Sequence, residues 1–284
     1  MFSSLSPVRA AAVFYLLAIG RVTACALTGA STQVAMLTPT IATLLMLLVL
    51  TRDGWTRRGW ASLGVHRAGL RFWPIALLLP LAIVAIGAAA AVSTNDAHWR
   101  TSGQAAEFSP WLWPGIVLIG VAYASLTVSL TEEIGWRGYL LPRLEELGTK
   151  KALILSGLLH GIWHLPVILL TTLYHPEGSR FVVVPVFLIL VTAVGIFLGW
   201  LRLRADSLWP PVLAHSANNI ALMWLPLLVV GDPSTIQYVA DEGIVHMLAY
   251  VAIAAVILLR SDGARSTQPS SRSIDVPARQ PVSR

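Results

Sequence analysis

The sequence has little charge and almost no cysteine. Only 12% of its 284 residues are Asp, Glu, Lys or Arg, whereas 56% are hydrophobic. Soluble domains carry roughly 25% charged residues, and a chain with half that fraction cannot cover a soluble globule. Lipid must therefore be the solvent for much of its surface. The single cysteine, Cys25, excludes an internal disulfide.

The sequence also lacks a basic cluster, a signal-peptide pattern and an internal repeat. Lys and Arg outnumber Asp and Glu by 20 to 14, but they punctuate hydrophobic runs and form no basic cluster on a soluble face, so we expect no nucleic-acid partner. The first apolar run contains Arg21 and lacks a small-residue cleavage site, which argues against a signal peptide. There is no internal repeat of the kind common in transporters.

The chain instead contains eight runs with little or no charge, each close to the roughly 20 residues that span a bilayer. They cover residues 10–30, 33–51, 73–93, 110–131, 152–172, 181–201, 207–230 and 244–260, and the fourth continues as helix to about Leu147. The pattern predicts an all-α fold, a polytopic membrane bundle of about eight transmembrane helices forming one domain, 1–260. Residues 261–284, rich in Ser, Pro and Arg, are predicted to be a disordered basic cytoplasmic tail.

The basic residues predict the orientation of the bundle. Of the 20 Lys and Arg residues, 16 fall at the two termini or in the 52–72, 143–151 and 202–206 connections, and two lie in the alternate connections. The positive-inside rule places the richer side in the cytoplasm. Both termini are therefore predicted to be cytoplasmic, which an even number of crossings allows. We expect an integral multi-pass membrane protein with lipid as its partner, in the inner membrane if the cell is bacterial. The sequence predicts no oligomeric state.

Six polar residues are predicted at membrane depth. They are Glu132, Glu133 and Arg137 in the helix that continues the fourth run, His164 in the fifth run, and His215 and Asn219 in the seventh. At about 1.5 Å of rise per residue, the carboxylates, imidazoles and amide lie roughly 12–20 Å from the cytoplasmic ends of their helices. This shared depth predicts one internal site. Such residues also serve as hydrogen-bonding partners between helices, but ionisable groups inside a membrane favour a functional role.

Residue spacing divides the roles. Glu133 and Arg137 are four apart and can form an ion pair on one helix face, whereas Glu132 projects about 100° away. We interpret the pair as structural and Glu132 as the reactive carboxylate. His215 and Asn219, also four apart, point the same way.

The absence of three protease motifs limits the chemistry that these residues can perform. No aspartate lies at depth, which excludes an intramembrane aspartyl protease, and there is no HExxH zinc motif. Ser156-Gly157 lacks the glycine two residues before the serine that a rhomboid-type nucleophile motif would show. What remains is a carboxylate and a histidine that can activate water, with His215 and Asn219 able to stabilise an oxyanion.

The series "EEIGWRG", "HGIWHLP" and "GWLRLRADSLWPPVLAHSANN" resembles the CPBP family, which includes the CAAX prenyl proteases and the bacteriocin-processing proteins and is also called the Abi family. The resemblance spans about residues 120–225 and implies an eight-helix intramembrane endopeptidase. It makes Glu132 the catalytic glutamate and His164 the histidine of the family's FxxxH motif. Glu133 with Arg137 completes the EExxxR motif, and His215 with Asn219 corresponds to the HxxxN pair.

One position departs from the family pattern. The aromatic residue of FxxxH is His160 here, one helical turn before His164. We interpret His160 as a hydrogen-bonding residue between helices. The alternative is a zinc site made of Glu132, His160, His164 and His215. Because the family has been described both as metalloproteases and as glutamate proteases, resemblance leaves the choice open. We favour no cofactor, because HExxH is absent and Asn219 suits an oxyanion better than zinc.

The sequence therefore predicts an endopeptidase in which Glu132, assisted by His164, activates water to cleave a peptide or membrane-protein substrate. Whether that substrate is prenylated stays open. The first alternative is a non-catalytic binding or bacteriocin-immunity protein that keeps the polar cluster for structure. The second, a transporter with a protonatable Glu132, lacks the expected repeat.

Overall fold

The computed structural model describes residues 5–101, 109–172 and 179–261 and shows a bundle of long helices. Their bounds are α1 (Pro7–Thr28), α2 (Thr32–Leu50), α3 (Leu70–Ser93), α4 (Trp113–Leu147), α5 (Thr149–Leu170), α6 (Arg180–Ala205), α7 (Trp209–Leu228) and α8 (Ile244–Arg260). A short helix, Arg57–Ala61, lies between α2 and α3. The predicted all-α polytopic bundle is confirmed. The predicted disordered tail lies outside the described residues, apart from Ser261.

Among the residues that the structure describes, seven helices are long and apolar enough to cross a membrane, one fewer than the eight runs predicted. They are α1 to α6 and a span from Pro233 to Arg260 that contains α8. Helix α7 is also long, at 20 residues, but it contains His215, Asn218 and Asn219, which lower its mean hydropathy. The chain is thus an integral multi-pass membrane protein, and its most polar long helix is one that carries predicted site residues.

The helix ends follow from local sequence. In lipid, backbone groups must be satisfied within the segment, so the uncharged runs form helices. Helix α1 begins after Ser6, whose hydroxyl accepts a hydrogen bond from the Arg9 amide, and it ends at Gly29, which has φ +68°. Pro114 and Pro210 lie in the first turns of α4 and α7, where a missing N–H costs nothing.

The arginine-rich connections meet at one end of the bundle. Arg143 Nη2 lies 3.3 Å from Asp53 Oδ2, and Arg202 Nη2 donates to the Ser62 carbonyl at 3.0 Å. The Leu208 amide donates to the Gly64 carbonyl at 2.9 Å. The connections predicted to be cytoplasmic therefore lie together.

The opposite end is joined by a two-stranded antiparallel sheet, β1 (Ala97–Trp99) with β2 (Val229–Gly231). In its register Ala97 is opposite Gly231 and Trp99 is opposite Val229. The sheet connects two segments predicted to lie on the far side. The grouping of the connections agrees with the predicted topology, and the assignment of the arginine-rich end to the cytoplasm stays a prediction.

Helix α4 is irregular around its carboxylates. Two π-helical stretches, Ser125–Ser129 and Ile134–Leu140, flank the α-helical turn Leu130–Glu133. A π segment widens the helix locally and shifts the side chains that follow it, and such segments are frequent at functional sites. Both Glu132 and Glu133 are buried there, at 2% and 0% exposure.

Helices α5 and α6 pack closely through glycines. A Cβ on Gly195 would lie 2.4 Å from the Gly157 Cα, and a Cβ on Gly157 would lie 2.5 Å from the Thr192 carbonyl oxygen. Small residues at such crossings allow backbones to approach in a membrane. A Cβ on Gly195 would also lie 3.1 Å from Arg137 Nη2, so the Arg137 guanidinium lies at this crossing.

Candidate active site

Four of the six residues predicted at membrane depth line one cavity, which is bounded by α2, α4, α5, α6, α7 and α8. Its volume is about 260 Å³. The polar residues predicted from sequence that line it are Glu132, His164, His215 and Asn219, and His160 joins them. Glu133 and Arg137 lie behind this lining and are fully buried. Three helices thus bring together the residues for which a common depth was predicted.

Glu132 is hydrogen-bonded to His160. Its Oε2 atom lies 3.0 Å from His160 Nε2. His164, the predicted assistant of Glu132, lies next to this pair: one carboxylate oxygen and one nitrogen from each imidazole all lie within 4.8 Å of one another. The direct partner of the carboxylate is therefore the residue at which the sequence departs from the family motif.

Glu133 accepts two hydrogen bonds on one oxygen. Arg137 Nη1 donates to Glu133 Oε1 at 2.9 Å, and this is the expected ion pair. His215 Nδ1 also lies 2.9 Å from the same oxygen. From the sequence, Arg137 is the only partner expected for Glu133. In the structure Glu133 also holds an imidazole of the cavity, so the ion pair is joined to the site.

Arg137 connects the two carboxylates indirectly. Its Nη1 atom lies 3.3 Å from His160 Nδ1. A continuous chain of contacts therefore links the members of the site in the order Glu132, His160, Arg137, Glu133 and His215. The chain joins α4, α5 and α7.

The orientation of His164 is fixed by its own helix and by aromatic rings. Its Nδ1 lies 3.1 Å from the His160 carbonyl oxygen, to which it donates. Its ring packs edge-on against Trp163, with centroids 4.6 Å apart, and against Phe187 at 5.3 Å. With the proton on Nδ1, the lone pair is on Nε2, where it can accept a hydrogen bond.

A second polar cluster, which sequence reasoning missed, borders the same cavity, with Asn218 and His246 in its lining. His246 Nε2 lies 2.9 Å from Asn218 Oδ1, and the Tyr250 hydroxyl donates to that oxygen at 3.4 Å. Glu242, at a break before α8 with φ +56°, also lines the cavity. A histidine within the apolar run 244–260 was the signal available for His246. Glu242 falls in the connection between the predicted runs 207–230 and 244–260, and nothing in the sequence predicts the break that brings it to the cavity.

The donor set of the cavity decides whether a zinc ion fits. Glu132, His160 and His164 have the composition of a catalytic zinc site. An imidazole that binds zinc through one nitrogen donates the N–H of its other nitrogen to an acceptor. Nδ1 of His164 has such an acceptor in the His160 carbonyl oxygen, and Nδ1 of His215 has one in the Glu133 carboxylate. Nδ1 of His160 instead faces the guanidinium of Arg137, which has donors and no acceptor. The three-residue set, as arranged, does not fit zinc.

Comparison with known proteins agrees with the motifs. No curated protein matches the chain. Residues 111–221 match the Rce1-like family, described as type II CAAX prenyl endopeptidase Rce1-like. This segment runs from the start of α4 into α7 and includes every site residue predicted from sequence. The match confirms the family resemblance and supports an intramembrane endopeptidase: over the segment that carries the site, the chain is similar to the type II CAAX prenyl endopeptidases.

Proposed function

We propose that the protein is an intramembrane endopeptidase in which Glu132 and His164 activate a water molecule. The observation that carries the proposal is the cavity itself. In the middle of apolar helices it gathers a carboxylate, two oriented imidazoles and an amide. Buried ionisable groups are costly in a membrane, and their convergence on one cavity favours chemistry over helix association.

Glu132 and His164 are close enough to share a water. A carboxylate oxygen and an imidazole nitrogen lie within 4.8 Å of each other. One water that makes hydrogen bonds of about 2.8 Å to both, at a tetrahedral angle, spans about 4.6 Å. Glu132 accepts one water proton while Nε2 of His164 accepts the second hydrogen bond and orients the oxygen.

The reaction then follows from these roles. As Glu132 takes the proton, the water oxygen attacks the peptide carbonyl carbon and the carbonyl oxygen becomes an oxyanion. Asn219 and His215 donate hydrogen bonds to that oxyanion. Glu132 returns its proton to the amide nitrogen, the C–N bond breaks, and an acid and an amine are released. The single water consumed supplies the OH of the acid and the added hydrogen of the amine.

Glu133 has a positioning role in this scheme. His215 Nδ1 is directed at the Glu133 carboxylate, so the ring can donate to an oxyanion from Nε2 only when it carries both protons. The negative charge of Glu133 stabilises that doubly protonated ring, as the aspartate does in a serine protease triad. The fully buried Glu133–Arg137 pair thereby fixes the orientation of the oxyanion donor.

The cavity also has an apolar wall on α6. Phe187, Leu190, Val191, Val194 and Leu198 line it, and Phe187 packs against the His164 ring. Aliphatic side chains of a peptide can pack there while the carbonyl group faces Asn219. The matched family is named for CAAX prenyl endopeptidases, so a prenylated peptide ending in a CAAX sequence is the first substrate to test, beside the same peptide without its prenyl group.

The decisive experiment compares cleavage of these peptides by wild type, Glu132→Gln and Glu146→Gln in detergent. Glu146 is an exposed carboxylate near the end of the same helix and serves as the matched control. We expect Glu132→Gln to lose about two to four orders of magnitude in rate, the scale of general-base catalysis, and Glu146→Gln to cleave normally. Near-normal cleavage by Glu132→Gln would overturn the mechanism. A wild type that binds but cleaves no peptide would favour the non-catalytic alternative.

A further inference from the structure

We propose that His160 is a positioning residue that holds the reactive carboxylate of Glu132 and is itself held by Arg137. The inference rests on the proposed function and adds a residue to it. At this position the family motif has an aromatic residue, and this chain has a histidine. The geometry gives the imidazole two polar neighbours, one on each ring nitrogen.

The proton position on His160 follows from its neighbours. The Arg137 guanidinium has only donors, and its Nη1 lies 3.3 Å from His160 Nδ1. Nδ1 must therefore accept, which places the ring proton on Nε2 in the neutral imidazole. Nε2 then donates to Glu132 Oε2 across 3.0 Å. The carboxylate receives one fixed hydrogen bond and keeps its other oxygen for water.

The ring has little freedom to leave this position. His160 is 4% exposed. Trp136 stacks on it with centroids 4.9 Å apart and planes 28° apart, and Trp163 lies at 6.1 Å on a tilted plane. Arg137, the group that sets the tautomer, is 0% exposed and is anchored by Glu133 at 2.9 Å. Aromatic packing fixes the ring plane, and the guanidinium fixes which nitrogen donates.

Two consequences follow for the reaction. Without His160 the Glu132 side chain keeps its charge but loses the contact that orients it, and a misplacement of about 1 Å can cost about 100-fold in rate. With a proton on Nε2, His160 has no free lone pair on the nitrogen that faces Glu132. His160 is therefore a hydrogen-bond donor to Glu132 and not a metal ligand. Arg137 thus acts on catalysis through His160 as well as on stability.

The test uses two substitutions at one position. His160→Phe restores the aromatic residue of the family motif and removes the donor, and His160→Gln keeps an amide donor of similar reach. We expect His160→Phe to lower kcat about 10- to 100-fold with little change in KM, and His160→Gln to recover much of that loss. His66→Gln, on an exposed connection, is the matched control. Thermal unfolding should be near wild type in His66→Gln and His160→Gln, and the same measurement on His160→Phe separates a loss of positioning from a loss of fold.

Nitrogen NMR of the full-length protein with ¹⁵N-labelled histidine reads the tautomer directly. The His160 signals, identified by their loss in His160→Gln, should show a protonated Nε2 and an unprotonated Nδ1, and Arg137→Met should mix the tautomers. A protonated Nδ1 in wild type, or a full kcat in His160→Phe, would overturn the role of His160. A wild type that cleaves no peptide would instead overturn the proposed function, whereas the spectrum is measured without substrate.

Discussion

Removing the charge of Arg137 tests how the buried ion pair contributes to the fold. In Arg137→Met the Glu133 carboxylate, at 0% exposure, loses a hydrogen bond of 2.9 Å and keeps the one from His215 at 2.9 Å. Breaking a buried ion pair typically costs about 3–5 kcal/mol, because the remaining charge is uncompensated. Since His215 still donates, we expect the lower end, about 3 kcal/mol of unfolding free energy.

A second variant separates charge from packing. In the double variant Glu133→Gln/Arg137→Met no charge of the ion pair is left, and a neutral replacement of a buried ion pair is often nearly as stable as the pair itself. We therefore expect the double variant to regain about 2 kcal/mol relative to Arg137→Met, a coupling within the range seen for contacting residues. Its activity should stay low, because His160 and His215 have lost the groups that orient them.

Thermal unfolding in detergent, followed by fluorescence of the 11 tryptophans, measures both effects. At about 2–4 °C per kcal/mol for a large domain, Arg137→Met should melt about 6–12 °C below wild type, and the double variant should lie between them. Two results would contradict this reasoning: a melting temperature of Arg137→Met equal to that of wild type, or a double variant that is the least stable of the three proteins. Either would show that an uncompensated charge on Glu133 does not govern the stability of this site.

Further predictions concern the oxyanion donors, metal and topology. Asn219→Ala should lower kcat about 10²- to 10³-fold, the value of one oxyanion donor, and an unchanged kcat would remove Asn219 from that role. Exhaustive chelation should leave cleavage intact, whereas a stoichiometric zinc whose removal abolishes cleavage and whose return restores it would show that the reaction needs metal. In a Cys25→Ala background, an impermeant maleimide applied to intact cells should label Ser234→Cys and spare His66→Cys, and the reverse pattern would invert the topology.

Helix position and depth could be predicted from the sequence, because they depend on local properties. Hydrophobic runs have to form helices in lipid, and the predicted runs 152–172 and 181–201 correspond to Thr149–Leu170 and Arg180–Ala205. The fixed rise per residue then gave the depth of each polar residue. Glu132, His164 and His215 accordingly line one cavity, although no two of them share a helix.

The pairing of those residues could not be predicted, because it depends on how each helix is rotated against its neighbours. His160 and His164 are four apart on one face of α5, and spacing alone does not say which one meets Glu132. The π segments of α4 rotate the side chains that follow them, and no residue pattern in the sequence predicts this rotation. The hydrogen bond from His215 to Glu133 spans 82 positions and arises from tertiary packing.

The glycine crossing of α5 and α6 shows why stability and chemistry are joined in this fold. Lipid tails are as apolar as the helix surfaces, so helices associate through close packing and polar contacts and not through burial of apolar area. Gly157 and Gly195 allow the close approach, and the Arg137 guanidinium beside them links α4 to His160 on α5. Contacts that hold these helices together therefore also orient the imidazoles of the site. A substitution at Arg137 must affect both properties, whereas Glu132, which lines the cavity at the end of the chain of contacts, can lose its base with little loss of packing.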